Sequence, residues 1–233
     1  MTCPMRTKAI LALVLLAGFV VLTFLDGWIY HAIDPSLASR ARLDSQLWYL
    51  ILRHTGSLWT WLVVGAVLVG LTALQRAQYP RRPVWLSGLF VALSAGASGL
   101  AAELGKLIIA RERPATIETL DSGLQALVYQ GYHFRGPFAG FLDGSNLGLP
   151  SSHAATAAGG AFALALLWPR LGLIAVGLAL GCGISRLLTG AHFATDVYAG
   201  VVLGLILSRL LARVLGVREE SSPRSCPRRS MAA

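Results

Sequence analysis

The first candidates for chemistry are a histidine and an aspartate four positions apart, His192 and Asp196, at the start of a long apolar run. Residues four apart lie on one face of a helix, so these side chains are expected to be neighbours. A carboxylate beside an imidazole fixes its tautomer, stabilises its charged form and leaves the other nitrogen free to attack. Burying an ionisable pair within an apolar, membrane-spanning helix costs free energy. This cost favours a functional role over a purely structural pair or a proton path. Arg186, just upstream, offers a planar donor fork that matches phosphate oxygens.

A second cluster, Ser151, Ser152 and His153, stands directly before another apolar run. Serine hydroxyls and the free N–H groups of a helix start bind phosphate well. A histidine at that position can act as an acid. The alternative is an ordinary serine N-cap followed by an interfacial histidine.

A third cluster contains Lys106 and Arg113, seven residues apart and followed by Pro114. Seven residues are about two helical turns, so we expect the two cations to share a helix face and the proline to end that helix. Two cations on one face can clamp a phosphoryl group and offset the charge on its oxygens. The alternative is a pair of snorkelling side chains at a membrane boundary.

Three more charged residues lie near these clusters or near a predicted span end. Glu103 lies one turn before Lys106 and is expected to pair with it, either to support the site or simply to compensate charge. Arg111 falls off the face predicted for the clamp and is expected to contact a headgroup at most. Asp26, near the end of the first apolar run, is expected to be interfacial.

The composition indicates that these clusters sit in a membrane protein. Of 233 residues, 55% are hydrophobic and 13% are charged, about half the charged fraction of a soluble domain. The net charge is +9, but the arginines lie between apolar runs, which fits membrane topology better than a nucleic-acid surface. We expect an all-α bundle of about six transmembrane helices, approximately over residues 9–30, 58–74, 84–110, 152–168, 171–188 and 193–215.

We expect residues 1–217 to form one six-helix domain and the Ser-, Pro- and Arg-rich residues 218–233 to be a disordered cytoplasmic tail. The loop 115–149 is long enough to need structure of its own. Its apolar residues suggest a short amphipathic helix at the membrane surface. The residues with helical spacing are Ile117, Leu120, Leu124 and Leu127.

Glycines recur at four-residue spacing, and this spacing lets helix backbones approach closely in lipid. It predicts tight packing, not chemistry. The two pairs are Gly177/Gly181 and Gly200/Gly204.

Taken together, the three clusters resemble the type 2 phosphatidic acid phosphatase superfamily. The pattern of that family is Lys-x6-Arg-Pro, then Pro-Ser-Gly-His, then Ser-Arg-x5-His-x3-Asp. The order and internal spacings match over residues 103–215, and Ser152 stands where the family usually has glycine. The matching residues are Lys106, Arg113, Pro114, Pro150, Ser151, His153, Ser185, Arg186, His192 and Asp196.

This resemblance implies a role for each position. His192 would be the nucleophile that forms a phosphohistidine, Asp196 would orient it, and His153 would protonate the leaving oxygen. No metal or cofactor is implied. The residues alone leave open which histidine attacks. The groups implied to hold the phosphoryl oxygens are Lys106, Arg113, Ser151, Ser152 and Arg186.

The implied activity is hydrolysis of a phosphomonoester or diphosphate lipid in the bilayer. Substrates in the family include undecaprenyl diphosphate, phosphatidylglycerol phosphate, phosphatidate and lipid A phosphate, and the first is slightly favoured. We expect no nucleic-acid partner. One alternative is a lipid-to-lipid phosphotransferase, which would have the same sequence features. The other is a non-enzymatic transporter or scaffold, which would leave the three clusters without a shared purpose.

The distribution of cations predicts the orientation, since cytoplasmic loops are enriched in Lys and Arg. The larger set is expected to be cytoplasmic: Arg6, Lys8, Arg76, Arg81, Arg82, Arg170, Arg209, Arg213, Arg218, Arg224, Arg228 and Arg229. The smaller set falls on the opposite side: Arg40, Arg42, Arg53, Lys106, Arg111, Arg113, Arg135 and Arg186. Both termini are therefore expected in the cytoplasm, with the three clusters on the outer face of a bacterial inner membrane.

Reporter fusions test this orientation. A fusion at Gly131 is expected to report the periplasm and a fusion at the C-terminus the cytoplasm, because an even number of spans separates the two termini. A cytoplasmic signal at Gly131 would contradict the predicted location of all three clusters.

Overall fold

A computed structural model of the chain describes residues 4–74 and 85–217, with side chains from residue 9 onward. These residues form eight α-helices, one β-hairpin and two short 3₁₀ turns. The helices are α1 Pro4–Ile33, α2 Leu37–Asp44, α3 Leu47–His54, α4 Leu58–Leu74, α5 Leu86–Ile109, α6 Ser152–Leu167, α7 Gly172–Leu188 and α8 Ala194–Val214. The predicted start of the third span and the tail 218–233 lie outside the described residues.

All six long helices predicted from apolar runs are present, and the helical membrane class is confirmed. By length and composition, α1, α5, α7 and α8 can cross a bilayer within the described part of the chain. The pair α3 and α4, bent by 77°, adds a fifth span if the two count as one. Helix α6 has 16 residues, fewer than the roughly 20 that a bilayer needs. Length and composition thus identify four or five spans among the described residues, and α6 is a shorter apolar helix beside them.

Helix α6 lies at the centre of the bundle and packs against α5, α7 and α8. Its sequence is rich in alanine and glycine, and most of its residues are buried. Small side chains allow neighbouring helices to approach closely. At Gly160, for example, the Trp61 ring occupies the space that a Cβ would fill. This packing holds the first turn of α6, with Ser152 and His153, against the surrounding helices.

The predicted close approach at Gly200 and Gly204 is confirmed. A Cβ at Gly204 would lie 2.7 Å from the Ala155 carbonyl oxygen and 2.7 Å from the Gly159 nitrogen, both in α6. On α7, Gly181 faces the Leu52 side chain of α3, whereas no described atom lies within 4 Å of a Cβ built at Gly177. The prediction of close packing was therefore wrong for Gly177.

The loop after α5 is a β-hairpin, so the predicted amphipathic helix was wrong. Strands β1 Ala115–Thr119 and β2 Gln125–Tyr129 pair antiparallel, with Ile117 opposite Leu127. The helical spacing rested on four leucine and isoleucine positions only. Two other features favour a hairpin: the β-branched residues of β1 and the turn at Gly123, which has a φ of +78°.

The end of α5 also differs from the prediction. The helix stops before Ala110, which adopts the left-handed conformation with a φ of 51°. The chain then runs extended, and the N–H of Arg113 donates to the Asn146 carbonyl at 2.9 Å. Backbone bonds to the loop replace those of a further helical turn. Lys106 and Arg113 therefore do not share a helix face. Two β-bridges fix this segment, Arg111 with Phe134 and Glu112 with Leu147.

The packing of α8 on α6 predicts that Gly204→Ala lowers stability by about 1–3 kcal/mol, because the added methyl group meets backbone atoms that cannot move independently. Thermal unfolding in detergent, followed by size-exclusion chromatography, measures the loss. Gly177→Ala is the matched control in α7. It should leave the melting temperature unchanged or raise it, since alanine favours a helix more than glycine does. Equal melting temperatures for the two variants would contradict the close approach.

Candidate active site

The turn between α7 and α8 places His192 beside the first turn of α8. Its Nδ1 atom lies 3.4 Å from Oδ2 of Asp196, and both side chains are almost fully buried. That distance is longer than an ideal hydrogen bond. Burial lowers the pKa of His192 to about 4, and Asp196 acts against this shift. Burial therefore favours the neutral ring, whose unprotonated nitrogen carries the lone pair that a nucleophile needs.

Asp196 is held from three directions. Its Oδ1 atom is ion-paired with Arg111, and its Oδ2 atom accepts the backbone N–H of Phe193 at 2.9 Å. Its own carbonyl accepts the N–H of Ser151 at 2.9 Å. The carboxylate beside His192 is thus fixed by the segment after α5, by the turn before α8 and by the start of α6.

Arg111 corrects an expectation from the sequence. It was expected to contact a lipid headgroup at most, yet only 1% of its surface is exposed. Besides Asp196, it donates to the Thr195 hydroxyl at 2.8 Å. Its guanidinium lies 5.1 Å from the Tyr132 ring centre and 5.2 Å from that of Phe193, within the range of cation–π attraction. The extended segment after α5 turns this side chain inward, which a continued helix would not do.

Asp26 is a second correction, because it is buried and not interfacial. Its Oδ1 atom accepts the backbone N–H of Thr195 at 3.0 Å. Its Oδ2 atom accepts the hydroxyls of Thr195 and Tyr132. Burial raises the pKa of Tyr132, and the hydrogen bond to Asp26 adds to the shift. Sequence reasoning missed this network because its partners lie far apart in the chain.

Lys106 meets the first turn of α6. It is buried, and its Nζ atom donates to the Ser152 hydroxyl at 3.0 Å and to Oε1 of Glu103 at 2.8 Å. The predicted pairing with Glu103 is therefore present. Ser151 caps α6, with its hydroxyl 3.5 Å from the N–H of Ala154. A lysine, two serines and a helix N-terminus thus converge on one place.

His153 is half-buried in the first turn of α6. The charges of Arg186, His192 and Lys106 all act on the His153 ring.

Arg113 and Arg186 line a cavity of about 440 Å³. Arg113 donates from Nε to the Leu147 carbonyl at 3.3 Å, whereas the buried Nε atom of Arg186 has no hydrogen-bond partner. The cavity adjoins the turn that carries His192, since Thr189 and Ala191 form part of its wall. The other predicted site residues do not line this cavity.

Two further arginines of the cavity, Arg40 from α2 and Arg53 from α3, were not predicted as site residues. Their spacing matches no pattern, and the sequence indicated only that they lie on the same side of the membrane as the three clusters. Among the residues that the structure describes, no three His, Cys, Asp or Glu side chains come together as a metal site. Independence from metal stays a prediction.

Comparison with known proteins identifies the family of the chain. The family model of the PAP2 superfamily matches residues 87–220. The lipid A 1-phosphatase of Rhizobium johnstonii is 30% identical over 176 residues, which are 70% of this chain and 67% of that protein. The lipid A 1-phosphatase of Rhizobium etli is 30% identical over 162 residues, 66% of this chain and 65% of that protein.

A crystal structure of a PAP2-type phosphatidylglycerolphosphate phosphatase from Bacillus subtilis also matches, with 24% identity and a TM-score of 0.43 over 87% of this chain and 94% of that one. The family is one of enzymes, which decides against a transporter or scaffold. The match to the family model, over more than half of the chain, confirms the resemblance that the three clusters carry: this chain belongs to the PAP2 superfamily and is a membrane-embedded lipid phosphatase.

Proposed function

We propose that the chain hydrolyses a phosphate ester or diphosphate of a membrane lipid through a covalent phosphohistidine on His192. The observation that carries this proposal is the buried contact between His192 and Asp196. Because Nδ1 faces the carboxylate, Nε2 is the nitrogen left to attack phosphorus. The fixed position of Asp196 orients the ring and stabilises the positive charge that develops on it.

In the first step, Nε2 of His192 forms a bond to phosphorus while the bond from phosphorus to the lipid oxygen breaks. His153 donates a proton to that oxygen, so no negative charge is left on it when the lipid departs. In the second step, His153 takes a proton from water, which attacks phosphorus and releases inorganic phosphate. The nitrogen–phosphorus bond breaks, and both histidines return to their starting state.

The phosphoryl oxygens are held by the five groups predicted from the sequence: Lys106, Arg113, Ser151, Ser152 and Arg186. The free N–H groups at the start of α6 add to them. The bond from Lys106 to the Ser152 hydroxyl gives the serine that replaces the usual glycine a partner. That hydroxyl still has a proton to donate to a phosphate oxygen.

The substrate class we favour is the phosphate of a glycolipid. Both curated relatives carry the name lipid A 1-phosphatase and share 30% identity with this chain. That similarity supports lipid A phosphate over undecaprenyl diphosphate, which the sequence alone slightly favoured.

The site is proposed to face the periplasm, with both termini in the cytoplasm. The charge asymmetry supports this orientation more strongly once the functions of the outer cations are taken into account. Lys106, Arg111, Arg113 and Arg186 belong to the site or its support, so they do not report on topology. The remaining outer cations are few compared with those on the opposite side.

Replacing the nucleophile tests the covalent mechanism. His192→Ala is expected to lower kcat by at least about 10⁴-fold, because no other group can form the intermediate. Labelled phosphate from a lipid substrate should be trapped on the wild-type protein and lost on acid treatment. Asp196→Asn should be slower but not inactive, since the imidazole remains, and it should be less stable, since Arg111 loses its buried counter-ion.

His54→Ala is the matched control for this experiment. His54 is an exposed histidine on the side predicted to be the outer one, and its replacement should leave turnover unchanged. Unchanged elution in size-exclusion chromatography shows that each variant is intact. Substantial turnover by an intact His192→Ala variant would rule out the phosphohistidine.

The role of His153 depends on the leaving group. A general acid contributes about 10²–10⁴ in rate, and a lipid monophosphate expels an alkoxide that needs the proton. A lipid diphosphate expels a phosphate, which carries charge without help. His153→Ala should therefore slow monophosphate cleavage more than diphosphate cleavage, measured as single-turnover rates so that chemistry is observed.

His192→Ala provides the comparison, because it should abolish cleavage of both substrates alike. Equal losses on both substrates in His153→Ala would remove His153 from the acid role. A larger loss on the diphosphate would instead assign it to binding the second phosphate.

A further inference from the structure

The cavity beside the phosphate site is lined by four arginines and a single carboxylate, Asp44. Two of the arginines, Arg113 and Arg186, belong to the proposed phosphate site. The other two, Arg40 and Arg53, come from the short helices between α1 and α4 and have no role in the two chemical steps. The cavity therefore has more guanidinium groups than the proposed phosphate site uses.

Four like charges in a partly buried cavity repel one another, and low dielectric surroundings increase the repulsion. Arg113 and Arg53 both act electrostatically on Arg186. Burial lowers the pKa of Arg40, and the nearby charge of Arg113 acts in the same direction. Asp44 offsets one charge only, through its bond to Arg53 at 2.8 Å. The excess positive charge favours an anionic ligand larger than one phosphate.

Hydrogen bonds hold the two additional arginines, Arg40 and Arg53, in place. The Nε atom of Arg40 donates to the Thr189 carbonyl at 2.5 Å, in the turn that leads to His192. This bond ties α2 to that turn and leaves the outer N–H groups of the Arg40 guanidinium for a ligand. Arg53 uses its Nη1 atom for Asp44, and its second terminal nitrogen is available.

The rest of the wall suits a polar headgroup. Thr116 contributes a hydroxyl group, Asn146 contributes an amide, and Tyr49 contributes an aromatic ring. A volume of about 440 Å³ falls in the range of small-molecule sites. A single phosphate ion would fill only a small part of this space.

Building on the proposed function, we propose that Arg40 and Arg53 bind a second phosphate of the same lipid headgroup while Arg113 and Arg186 hold the phosphate that is cleaved. The preferred substrate is then a lipid whose headgroup carries two phosphates. The second phosphate contributes through binding and takes no part in bond breaking.

The test compares two glycolipids in mixed micelles, one with two phosphate monoesters and a counterpart with only the one that is cleaved. The measured quantity is the ratio of their kcat/KM values. Arg53→Gln and Arg40→Gln should each lower that ratio about tenfold, as expected for the loss of one charged hydrogen-bonding group. The wild-type preference for two phosphates should weaken as salt rises.

Arg42→Gln is the matched control. It removes the same charge from the same helix as Arg40, but Arg42 is exposed and outside the cavity wall. The kcat/KM ratio of this variant should equal that of the wild type. The control therefore distinguishes a general loss of surface charge from the loss of the proposed second phosphate site. Because Arg53 is partly exposed, its variant is the one least able to disturb folding, and its thermal unfolding should match that of the wild type.

Three outcomes would overturn the inference: a wild type without preference for the second phosphate, a well-folded Arg53→Gln variant with an unchanged ratio, or an equal drop in Arg42→Gln. The cavity could instead bind free inorganic phosphate. If it does, Arg53→Gln would weaken the inhibition by phosphate of cleavage of the one-phosphate lipid and would leave the kcat/KM ratio unchanged. If the wild type cleaves neither lipid, the proposed glycolipid substrate is wrong, and this result differs from failure of the subsite alone.

Discussion

The buried ion pair between Arg111 and Asp196 joins the parts of the chain that build the site. Burying two charges is costly, and removing either partner leaves the other uncompensated, at a cost of several kcal/mol. The same carboxylate accepts the N–H of Phe193, and the Asp196 carbonyl accepts that of Ser151. The end of α5, the start of α6 and the turn before α8 are thus fixed at one residue. The position of His192 follows from this arrangement.

Asp26 extends the arrangement to the outer part of the fold. It binds Thr195, the neighbour of Asp196, and Tyr132 from the loop after the hairpin. Tyr132 in turn lies against Arg111. Helix α1 has much of its surface facing outward, yet it is connected through these polar contacts to the centre of the site. The loop that carries Tyr132 is held by the same contacts.

The sequence predicted features that lie within one element. Apolar length identified the six long helices, and four-residue spacing paired His192 with Asp196, because both signals are local. The sequence did not predict the arrangement of Arg113, since the left-handed residue Ala110 and bonds to the distant loop decide where α5 ends. The contact between Asp26 and Thr195 and the approach of Arg40 to the cavity are set by packing between separate helices. No periodicity records such contacts.

The network around Asp26 and Arg111 has a consequence for biosynthesis. Asp26 enters the membrane with the first helix, whereas Thr195 and Asp196 belong to the last. Until α8 is inserted, Asp26 lacks the Thr195 groups that bind it, and Arg111 lacks its counter-ion. Buried charged groups without partners are unfavourable, so these early segments gain their stable arrangement only when α8 packs against them. Because His192 and Asp196 also lie at the start of this last helix, the site is complete only when the whole bundle has assembled.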